Sequence, residues 1–397
     1  MDSETFRGRS EVDIAALRSD DFDRGVWCLL GLPVDVTNLD WAVRKIDFAA
    51  RTGNRLSFVT PNVNWLVRAI GDSKVRRELI NADLCLIDGA PLVGMAKMLG
   101  LPVGMRVAGS DLFEALRRRP AFEGRRLKVF FFGGRDGAAE KAALNVNEEG
   151  GGVDAVGWLN PGFGDIEEMS RPEIIDSINA AAPDFVVVAL GAEKGQAWIA
   201  RNQSELTAPV IAHLGAVVDF TAGGIRRAPK IIQNLGLEWA WRIKEEPALW
   251  RRYFNDGLAL MSIFWSRLLP QLGLAPKNAS GRPAKADLVQ GAKRVTILLS
   301  GDLLFASLGP VREAFRAAAA IGSDIVLDLT EIGAFDRAFL GLVLMLEKNT
   351  AAHRAQIFLR GVNQRQMKVF CANNMRYPID NTADERLAPQ SSQGSAV

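Results

Sequence analysis

Short apolar runs rich in β-branched and aromatic residues alternate along most of the chain with stretches whose apolar residues recur at helical spacing. Five of these runs are RLSFVTPN, DLCLIDGAP, LKVFFFGG, DFVVVALGA and PVIAHLGAVVDF, and VNWLVRAIGDSKVRRELINA and GAAEKAALNVNEE have the helical spacing. Strands that alternate with helices are typical of a parallel sheet covered on both faces. We therefore predict an α/β fold with a Rossmann-like, mostly parallel sheet flanked by helices.

Changes in this pattern and in local composition divide the chain into six segments. Residues 270–286 are rich in Pro, Gly, Ala and Lys, as in a linker. After them, RVTILLSGDL, DIVLDLTEIG and AQIFLRGV read as strands separated by helical stretches. The predicted units are a flexible lead-in at 1–25, an α/β core at 26–222, a basic, Trp-rich appendage at 223–269, a linker at 270–286, a small α/β domain at 287–375 and a disordered tail at 376–397.

Composition narrows the class of protein. A chain of 397 residues is longer than one hydrophobic core usually supports, and a net charge of +2 argues against a surface built to hold nucleic acid. Three widely spaced cysteines fit a reducing cytoplasm. The first residues, MDSETFRGRSEVD, contain no apolar signal segment, and no run reaches the roughly 20 apolar residues of a membrane span. We therefore expect a cytoplasmic protein.

Small polar residues follow several of the predicted strands. Thr60 and Asn62 follow LSFV, and Asp88 with Gly89 follows DLCLI. Open α/β sheets bind ligands at the carboxyl ends of their strands, and a carboxylate there can take the proton of an attacking hydroxyl. Both clusters also have a purely structural interpretation. Thr and Asn are common N-cap residues before a helix, and Asp-Gly is common in turns.

Two further clusters precede predicted helices. Arg106, Gly109 and Asp111 fall in RVAGSD, just before LFEALRRR, where the arginine can reach an anionic group. Gly133 and Gly134 follow LKVFF, where their backbone N–H groups can face a diphosphate. The loop lacks the full G-x-G-x-x-G spacing, which argues against a dinucleotide site.

Residues suited to a metal site are scarce. The two histidines are His213 and His353, and His213 lies in an apolar run where a core position is the simpler reading. The Asp-x-Asp pair, Asp21 and Asp23, falls in the predicted lead-in. We expect no metal and no other cofactor, so that backbone dipoles and arginines would stabilise an anionic leaving group.

A longer string of residues carries a family resemblance. It comprises Asp219-Phe220-Thr221-Ala222-Gly223, Arg227-Ala228-Pro229, Gly236-Leu237-Glu238-Trp239, Arg242, Glu246-Pro247 and Arg251-Arg252-Tyr253. With the strand-end clusters in order, the chain from about Gly31 to Tyr253 resembles the WecG/TagA/CpsF family of glycosyltransferases. The resemblance implies an inverting, metal-independent enzyme that moves a sugar from a UDP-sugar to a polyprenyl-diphosphate-linked sugar in surface polysaccharide biosynthesis.

The resemblance also assigns roles by position. The family's Thr-x-Asn, Asp-Gly, Arg-x-x-Gly-x-Asp and glycine-rich loop all have counterparts here, with the proposed catalytic base in the Asp-Gly pair. It implies that Asp88, Thr60 and Asn62 are catalytic, that Gly89, Arg106, Gly109, Asp111, Gly133, Gly134 and Gln196 bind nucleotide or substrate, and that Arg227, Arg242, Arg251 and Arg252 meet the acceptor diphosphate or the membrane.

Residues 191–198 depart from the family pattern. The family usually has Gly-x-Pro-x-Gln-Glu-x-x-Trp, whereas this chain reads GAEKGQAW, with Gly195 and Gln196 where Gln and Glu are common. We therefore expect different contacts to the donor sugar. N-acetylmannosamine, its uronic acid and glucose all remain open.

The C-terminal unit resembles a STAS domain through DIVLDLTEIG and the following residues 335–341. In the phosphorylated regulators of that group a Ser or Thr typically follows the Asp, and here Arg337 follows Asp336. A phospho-switch is therefore not expected. We expect the domain to dock a protein partner or to mediate self-association. The alternative is that it only adds stability to the chain.

The segment from Gly223 to Arg267 is basic and rich in tryptophan. It holds eight Lys and Arg against four acids, and four of the nine tryptophans. Arginine and tryptophan on an amphipathic helix are typical of an anchor in the membrane interface. We expect peripheral contact with the anionic inner face of the cytoplasmic membrane, against the alternative of a helix packed on the core.

Two other functions compete with the transferase. One is a catalytically inactive, transferase-like scaffold that acts through the STAS-like unit, and the retained Asp88, Thr60 and Arg106 argue against it. The other is a nicotinamide oxidoreductase, which the missing glycine fingerprint disfavours.

Overall fold

The computed structural model describes residues 20–121, 124–234, 236–272, 279–291 and 293–381, with Asn234 described by its backbone alone. Residues 1–19 of the predicted lead-in, 273–278 of the predicted linker and 382–397 of the predicted tail lie outside the described residues.

A short antiparallel hairpin precedes a six-stranded sheet. The strands are β1 (Val26–Leu29), β2 (Leu32–Asp35), β3 (Leu56–Val59), β4 (Leu84–Cys85), β5 (Leu127–Gly133), β6 (Val153–Leu159), β7 (Phe185–Ala189) and β8 (Val210–His213). Strands β1 and β2 form the hairpin. The sheet has the order β4-β3-β8-β7-β5-β6, and all its pairs are parallel. Every residue of β7 is buried, because helices cover both faces of a parallel sheet.

Helices connect the strands and cover the sheet. They are α1 (Leu39–Thr52), α2 (Val63–Gly71), α3 (Ser73–Ile80), α4 (Ala90–Met98), α5 (Gly109–Arg118), α6 (Ala138–Glu149), α7 (Pro172–Ala180), α8 (Ala192–Asn202) and α9 (Gly215–Thr221). The appendage follows as α10 (Lys230–Asn234), α11 (Glu238–Glu245), α12 (Trp250–Ile263) and α13 (Leu269–Leu272), with a π-helical turn at Phe264–Leu268. No helix among the residues described is long and apolar enough to span a membrane.

The C-terminal unit is a second, smaller α/β domain. Its strands are β9 (Lys285–Gln290), β10 (Arg294–Leu303), β11 (Asp324–Phe335) and β12 (Ile357–Arg360), and its helices are α14 (Gly309–Ile321), α15 (Arg337–Ala352) and α16 (Gln364–Ala372). The sheet order is β12-β11-β10-β9, with β9 antiparallel at one edge. The predicted fold class, a helix-flanked parallel sheet followed by a small α/β domain, is confirmed.

The start of the described chain differs from the expected flexible lead-in. Phe22 is 3% exposed within a core cluster, and Arg24 pairs with Asp35 at 2.7 Å. Asp21 accepts bonds from Arg24 and Lys348. Residues 20–25 therefore pack into the fold. Partners such as Lys348 lie more than 300 positions away along the chain, where a local sequence pattern cannot reveal them.

The boundary near the linker also differs from the expected one. Strand β9 begins at Lys285, within the predicted linker, and Ala284 is buried. Ser280 and Gly281 donate hydrogen bonds to the carboxylate of Asp302 in β10. Residues 280–286 thus belong to the C-terminal domain despite their loop-like composition.

Helix α15 of the small domain packs against the N-terminal hairpin. A Cβ on Gly341 would lie 2.2 Å from the carbonyl oxygen of Val26, so this approach requires glycine. Glu347 pairs with Arg76 of α3, with 2.9 Å between Oε2 and Nη2, and accepts from Tyr377 at 2.7 Å. The two domains therefore share a buried interface with its own ion pairs.

Asp336 and Arg337, at the start of α15, are both engaged in contacts within the chain. Asp336 caps α15 by accepting from the N–H groups of Ala338 and Phe339. Arg337 donates to the carbonyl of Leu99 at 3.2 Å and to Gln271 Oε1 at 2.7 Å. The start of α15 thus contacts the transferase half of the same chain.

Candidate active site

Segments that follow neighbouring strands meet at the carboxyl edge of the six-stranded sheet. The N–H of Asp88 donates to the carbonyl of Pro61 at 2.9 Å, and the N–H of Val107 donates to the carbonyl of Ile87 at 2.9 Å. A Cβ on Gly109 would lie 3.2 Å from Thr60 Oγ1 and 2.5 Å from a methyl carbon of Leu214. Close packing at Gly109 therefore brings the start of α5 against the end of β3.

Arg106 is the centre of a charged cluster in this crevice. Its guanidinium lies 2.6 Å from Glu238, 4.0 Å from Asp88 and 3.9 Å from Asp111. Arg227 pairs with Asp111 at 2.5 Å and lies 3.9 Å from Glu238. The structure thus brings together four residues that the sequence singled out, with Glu238 as a fifth member.

Glu238 was not among the predicted site residues. It lies in the first turn of α11 and reaches Arg106 across 132 positions of sequence. The available signal was its place in the string Gly236-Leu237-Glu238-Trp239. That string carries a family resemblance, but it does not indicate which residue Glu238 contacts. The pairing of Glu238 with Arg106 is seen only in the folded structure.

The Asp88 carboxyl has an altered acidity. Burial raises its pKa to about 7, and the carboxylates of Glu238 and Asp111 add to this increase, while Arg106 and Arg227 oppose it. Its side chain keeps 28% exposure toward the crevice. A carboxyl group with a pKa near neutrality that remains accessible from a cleft is suited to accept a proton from a bound hydroxyl.

Asn62 is the N-cap of α2, the structural role that its position before the helix predicts. Its side chain caps α2 by accepting from the N–H groups of Asn64 at 3.1 Å and Trp65 at 3.4 Å. Thr60 lies at the end of β3 beside Gly109. A catalytic role for Thr60 and Asn62 stays a prediction.

The glycines after β5 allow a close approach of backbones. Gly133 and Gly134 have φ values of +92° and +98°, which favour glycine. A Cβ on Gly133 would lie 2.8 Å from the carbonyl oxygen of Ala189, and the N–H of Gly134 donates to that same oxygen at 2.8 Å. The Gly134 N–H is therefore used within the protein, contrary to the expected exposure to a diphosphate.

A second charged cluster lies next to this glycine loop. Arg242 pairs with Glu246 at 2.6 Å and stacks over the ring of Phe220, 5.1 Å from its centroid. Arg135 also pairs with Glu246, and its Nε lies 3.8 Å from Asp219. Arg242 is thus held near the loop that follows β5.

Arg251 and Arg252 lie outside both clusters. They are exposed on α12, where they stack on Trp250 and Tyr253. The same helix and the turn after it present an exposed apolar stripe at helical spacing. Its members and their exposures are Trp250 51%, Phe254 58%, Leu258 59%, Met261 58% and Trp265 61%.

Residues 191–198, which differ from the family pattern, form the N-cap and first turns of α8. Gly191 precedes the helix with a φ of +78°. Gln196 is 5% exposed, and its Oε1 has no hydrogen-bond partner among the described residues. Gly195 lies directly against the imidazole of His213.

The residues described contain no group of three or more His, Cys, Asp or Glu that could hold a metal ion. Asp21 and Asp23 each pair with basic residues, Arg24 and Arg316 respectively. Metal independence stays a prediction, which a chelator can test.

A helix-flanked parallel sheet that carries a carboxyl group with a raised pKa among arginines at its carboxyl edge is typical of the active site of an α/β enzyme. More specifically, the chain belongs to the Glycosyl transferase WecG/TagA/CpsF family, whose model matches residues 27–272. A second model, described as "Mlab, STAS domain", matches residues 287–376. The family resemblance and the STAS resemblance are both confirmed.

Curated relatives support the same assignment. A Bacillus spizizenii protein named N-acetylglucosaminyldiphosphoundecaprenol N-acetyl-beta-D-mannosaminyltransferase is 30% identical over 197 residues, which cover 50% of this chain and 74% of the relative. A Staphylococcus aureus protein of the same name is 26% identical over 217 residues, which cover 54% of this chain and 82% of the relative. The chain is therefore a glycosyltransferase by family.

Among solved structures, the anti-sigma factor antagonist SpoIIAA in its unphosphorylated form is similar to part of the chain. It shares 20% identity, with a TM-score of 0.23, and the match covers 25% of this chain and 92% of SpoIIAA.

Proposed function

We propose that this chain transfers a sugar from a UDP-sugar to a hydroxyl of a polyprenyl-diphosphate-linked sugar, with inversion and without a metal. The observation that carries the proposal is the approach of Arg106 to within 4.0 Å of Asp88, a carboxyl group with a pKa near 7 at the carboxyl edge of the sheet. The names of the two relatives supply the acceptor class and favour N-acetylmannosamine as the donated sugar.

Asp88 is the general base in this reaction. The acceptor hydroxyl oxygen attacks the anomeric carbon of the donor and forms the new glycosidic bond, while its proton passes to Asp88. The bond between that carbon and the diphosphate oxygen breaks, and UDP leaves with the bonding pair. Attack on the face opposite UDP inverts the anomeric configuration.

Arginines stabilise the negative charge of the diphosphates. Arg106 pairs with Glu238, Arg227 pairs with Asp111, and Arg242 pairs with Glu246. A diphosphate offers the same bidentate geometry as these carboxylates, so it can replace them as the partner of each guanidinium. Such charge stabilisation makes a cation unnecessary at the leaving group.

The apolar stripe of α12 brings the site to the membrane. Five large side chains exposed at helical spacing, flanked by Arg251 and Arg252, match a helix that lies in the interface between lipid and water. A lipid-linked acceptor is confined to that plane, so peripheral attachment at the inner face raises its local concentration.

The small domain contributes stability and carries any protein contact on its remaining surface. Its helix α15 is already covered by the hairpin and by α3 of the same chain. Docking or self-association through this domain would therefore use faces other than α15.

A panel of UDP-sugars tests the proposal. The full chain is incubated with each donor and a short-chain lipid diphosphate that carries N-acetylglucosamine, with UDP release and product mass as readouts. The proposal predicts acceptor-dependent UDP release, a product heavier by one sugar, and a rate within about twofold of normal in excess chelator. Loss of activity in chelator with rescue by magnesium or manganese would contradict the metal-free mechanism.

A further inference from the structure

The guanidinium of Arg337, in the small domain, joins two segments of the transferase half that lie far apart in sequence. Its Nε donates to the carbonyl of Leu99 at 3.2 Å, and its Nη1 donates to Oε1 of Gln271 at 2.7 Å. Leu99 is the C-cap of α4, and Gln271 lies in α13, at the end of the appendage. One side chain of the small domain therefore holds α4 and the appendage together.

The contact with the appendage is buried. Gln271 is 1% exposed, and its Oε1 also accepts from Nδ2 of Asn373, in the small domain, at 3.0 Å. The Gln271 Nε2 donates to the carbonyl of Arg267 at 3.0 Å, so this amide is bonded at both ends. Leu268, in the preceding turn, is fully buried in the same core cluster as Phe339 of α15. The end of the appendage is therefore anchored on the small domain by hydrogen bonds and by apolar packing.

The opposite end of α4 lies in the crevice. Helix α4 begins at Ala90, two residues after Asp88, and runs for nine residues. At 1.5 Å per residue, about 13 Å of rigid helix separates this end from the end that Arg337 holds. A Cβ built on Gly236 would lie 2.8 Å from the Cβ of Ala90, so the turn that precedes Glu238 packs directly on the first residue of α4. A shift of α4 would therefore disturb both Asp88 and its approach to Glu238.

The charge of Arg337 does not account for its presence at this position. Its guanidinium forms no salt bridge with a carboxylate among the described residues, and burial lowers its pKa. A desolvated charge without a counter-ion costs free energy, and an apolar side chain of similar length is often as stable at such a position. An apolar side chain cannot, however, bond two acceptors in a fixed geometry. The specific contribution of Arg337 is therefore orientation.

We propose that Arg337 is a positioning residue of the transferase, which holds the far end of α4 and the end of the appendage together and so sets how closely Glu238 and Arg106 approach Asp88. This role rests on the proposed function, because Asp88 is the general base of that reaction. It gives the small domain a part in catalysis besides stability and protein contacts.

Hydrogen exchange of the full chain, measured by mass spectrometry of its peptides, tests the structural coupling without turnover. Arg337→Met keeps a side chain of similar length and removes both hydrogen bonds. It should speed exchange about threefold or more in peptides from α4 and α11, and leave α14 unchanged. Arg294→Ala is the matched control, because the salt-bridge partners of Arg294 are Asp324 and Asp380, within the small domain. It should match the parent in α4 and α11.

The pH dependence of sugar transfer tests the catalytic consequence. Loosening of the crevice in Arg337→Met should lower kcat/KM about 10-fold to 100-fold on its plateau, since small misplacements of a catalytic group have effects of this size. The acid limb should also move to lower pH, because burial is the main cause of the raised pKa of Asp88. Arg337→Lys, which keeps a donor for one of the two acceptors, should recover part of both changes. The charged groups that act on Asp88 are Arg106, Glu238, Asp111 and Arg227.

The outcomes separate the claims. Parent-like exchange in α4 and α11 of Arg337→Met overturns the inference, and so does faster exchange with an unchanged pH profile, since the bonds would then be structural only. Faster exchange with a lower acid limb supports it. If Arg337→Met does not fold, Gln271→Ala breaks the same hydrogen bond from the other side and is judged by the same measurements. A parent that transfers no sugar overturns the proposed function and this role together, whereas an active parent with parent-like variants overturns only the role of Arg337.

Discussion

The guanidinium of Arg106 lies 2.6 Å from the carboxylate of Glu238, a residue 132 positions away in the appendage. Glu238 has two effects on the Asp88 carboxyl, 4.0 Å from the same guanidinium. Its charge raises the pKa of Asp88 directly, and its ion pair competes for the arginine that would lower that pKa. Burial is the main cause of the raised pKa of Asp88, and the appendage adds to it through Glu238.

The pH dependence of turnover should report this relationship. A base must be deprotonated to act, so kcat/KM should fall tenfold per pH unit below about pH 7, the pKa of Asp88. Glu238→Gln removes one neighbouring charge and frees Arg106, so the acid limb should move to lower pH. Profiles for both proteins check this, and an unchanged or higher midpoint in the variant would contradict it.

The same pKa has a consequence for stability. Because the folded-state pKa of Asp88 exceeds its ordinary 3.8, the native protein binds more protons than the unfolded chain between about pH 4 and pH 7. Stability is therefore lost as the pH rises through that window. Asp88→Asn removes the loss and should be more stable than the parent above pH 7 by about 1 to 3 kcal/mol, with little difference at pH 4.

Denaturant unfolding at pH 4 and pH 8 measures that difference. Asp287→Asn, at an exposed position of β9, is the matched control and should change stability by less than about 0.5 kcal/mol at either pH. Equal stability of the parent and Asp88→Asn at pH 8 would contradict a raised pKa of Asp88 in the folded protein.

Membrane attachment should depend on the apolar stripe more than on the adjacent arginines. Phe254→Gln with Trp265→Gln removes two side chains that are more than half exposed and should weaken binding to anionic vesicles roughly 100-fold. Arg251→Ala with Arg252→Ala should weaken it less and chiefly at low salt, at about 1 kcal/mol per charge. Trp158→Gln, at another exposed tryptophan, serves as the control. Normal vesicle binding by the stripe variant would rule out this face.

The contact between the domains should be a main determinant of stability. Glu347→Gln leaves Arg76 without its carboxylate partner in a buried interface and should cost about 2 to 4 kcal/mol. Asp40→Asn, which breaks an exposed pair with Arg44, should cost less than about 0.5 kcal/mol. Urea unfolding of the three proteins makes the comparison, and similar small costs for both would show that the interface contributes little.

The fold was predictable where the signal is local. The continuous apolar run Phe185–Ala189 is a central buried strand, and the run of residues 337–353 predicts α15 to within one residue. The family resemblance also placed Asp88 and Arg106 in one site, and the structure brings the two side chains within 4.0 Å of each other.

Contacts between distant segments were not predictable in this way. Phe22 is a single aromatic residue in a polar stretch, and its burial depends on a domain that begins more than 250 residues later. The pairing of Glu238 with Arg106 has no local sequence signal, because the two residues are 132 positions apart. Periodicity reports which face of an element is buried, and not which element covers it.

The rate of sugar transfer by the parent and by Asp88→Asn tests the central claim most directly. Both proteins receive UDP-N-acetylmannosamine and a short-chain lipid diphosphate carrying N-acetylglucosamine, with Asp287→Asn as the matched control. The account predicts transfer by the parent and the control, and a loss of about 100-fold to 10,000-fold in Asp88→Asn with its fold intact. Transfer by Asp88→Asn at the parent rate would remove Asp88 as the base, and no transfer by the parent from any UDP-sugar would favour an inactive scaffold.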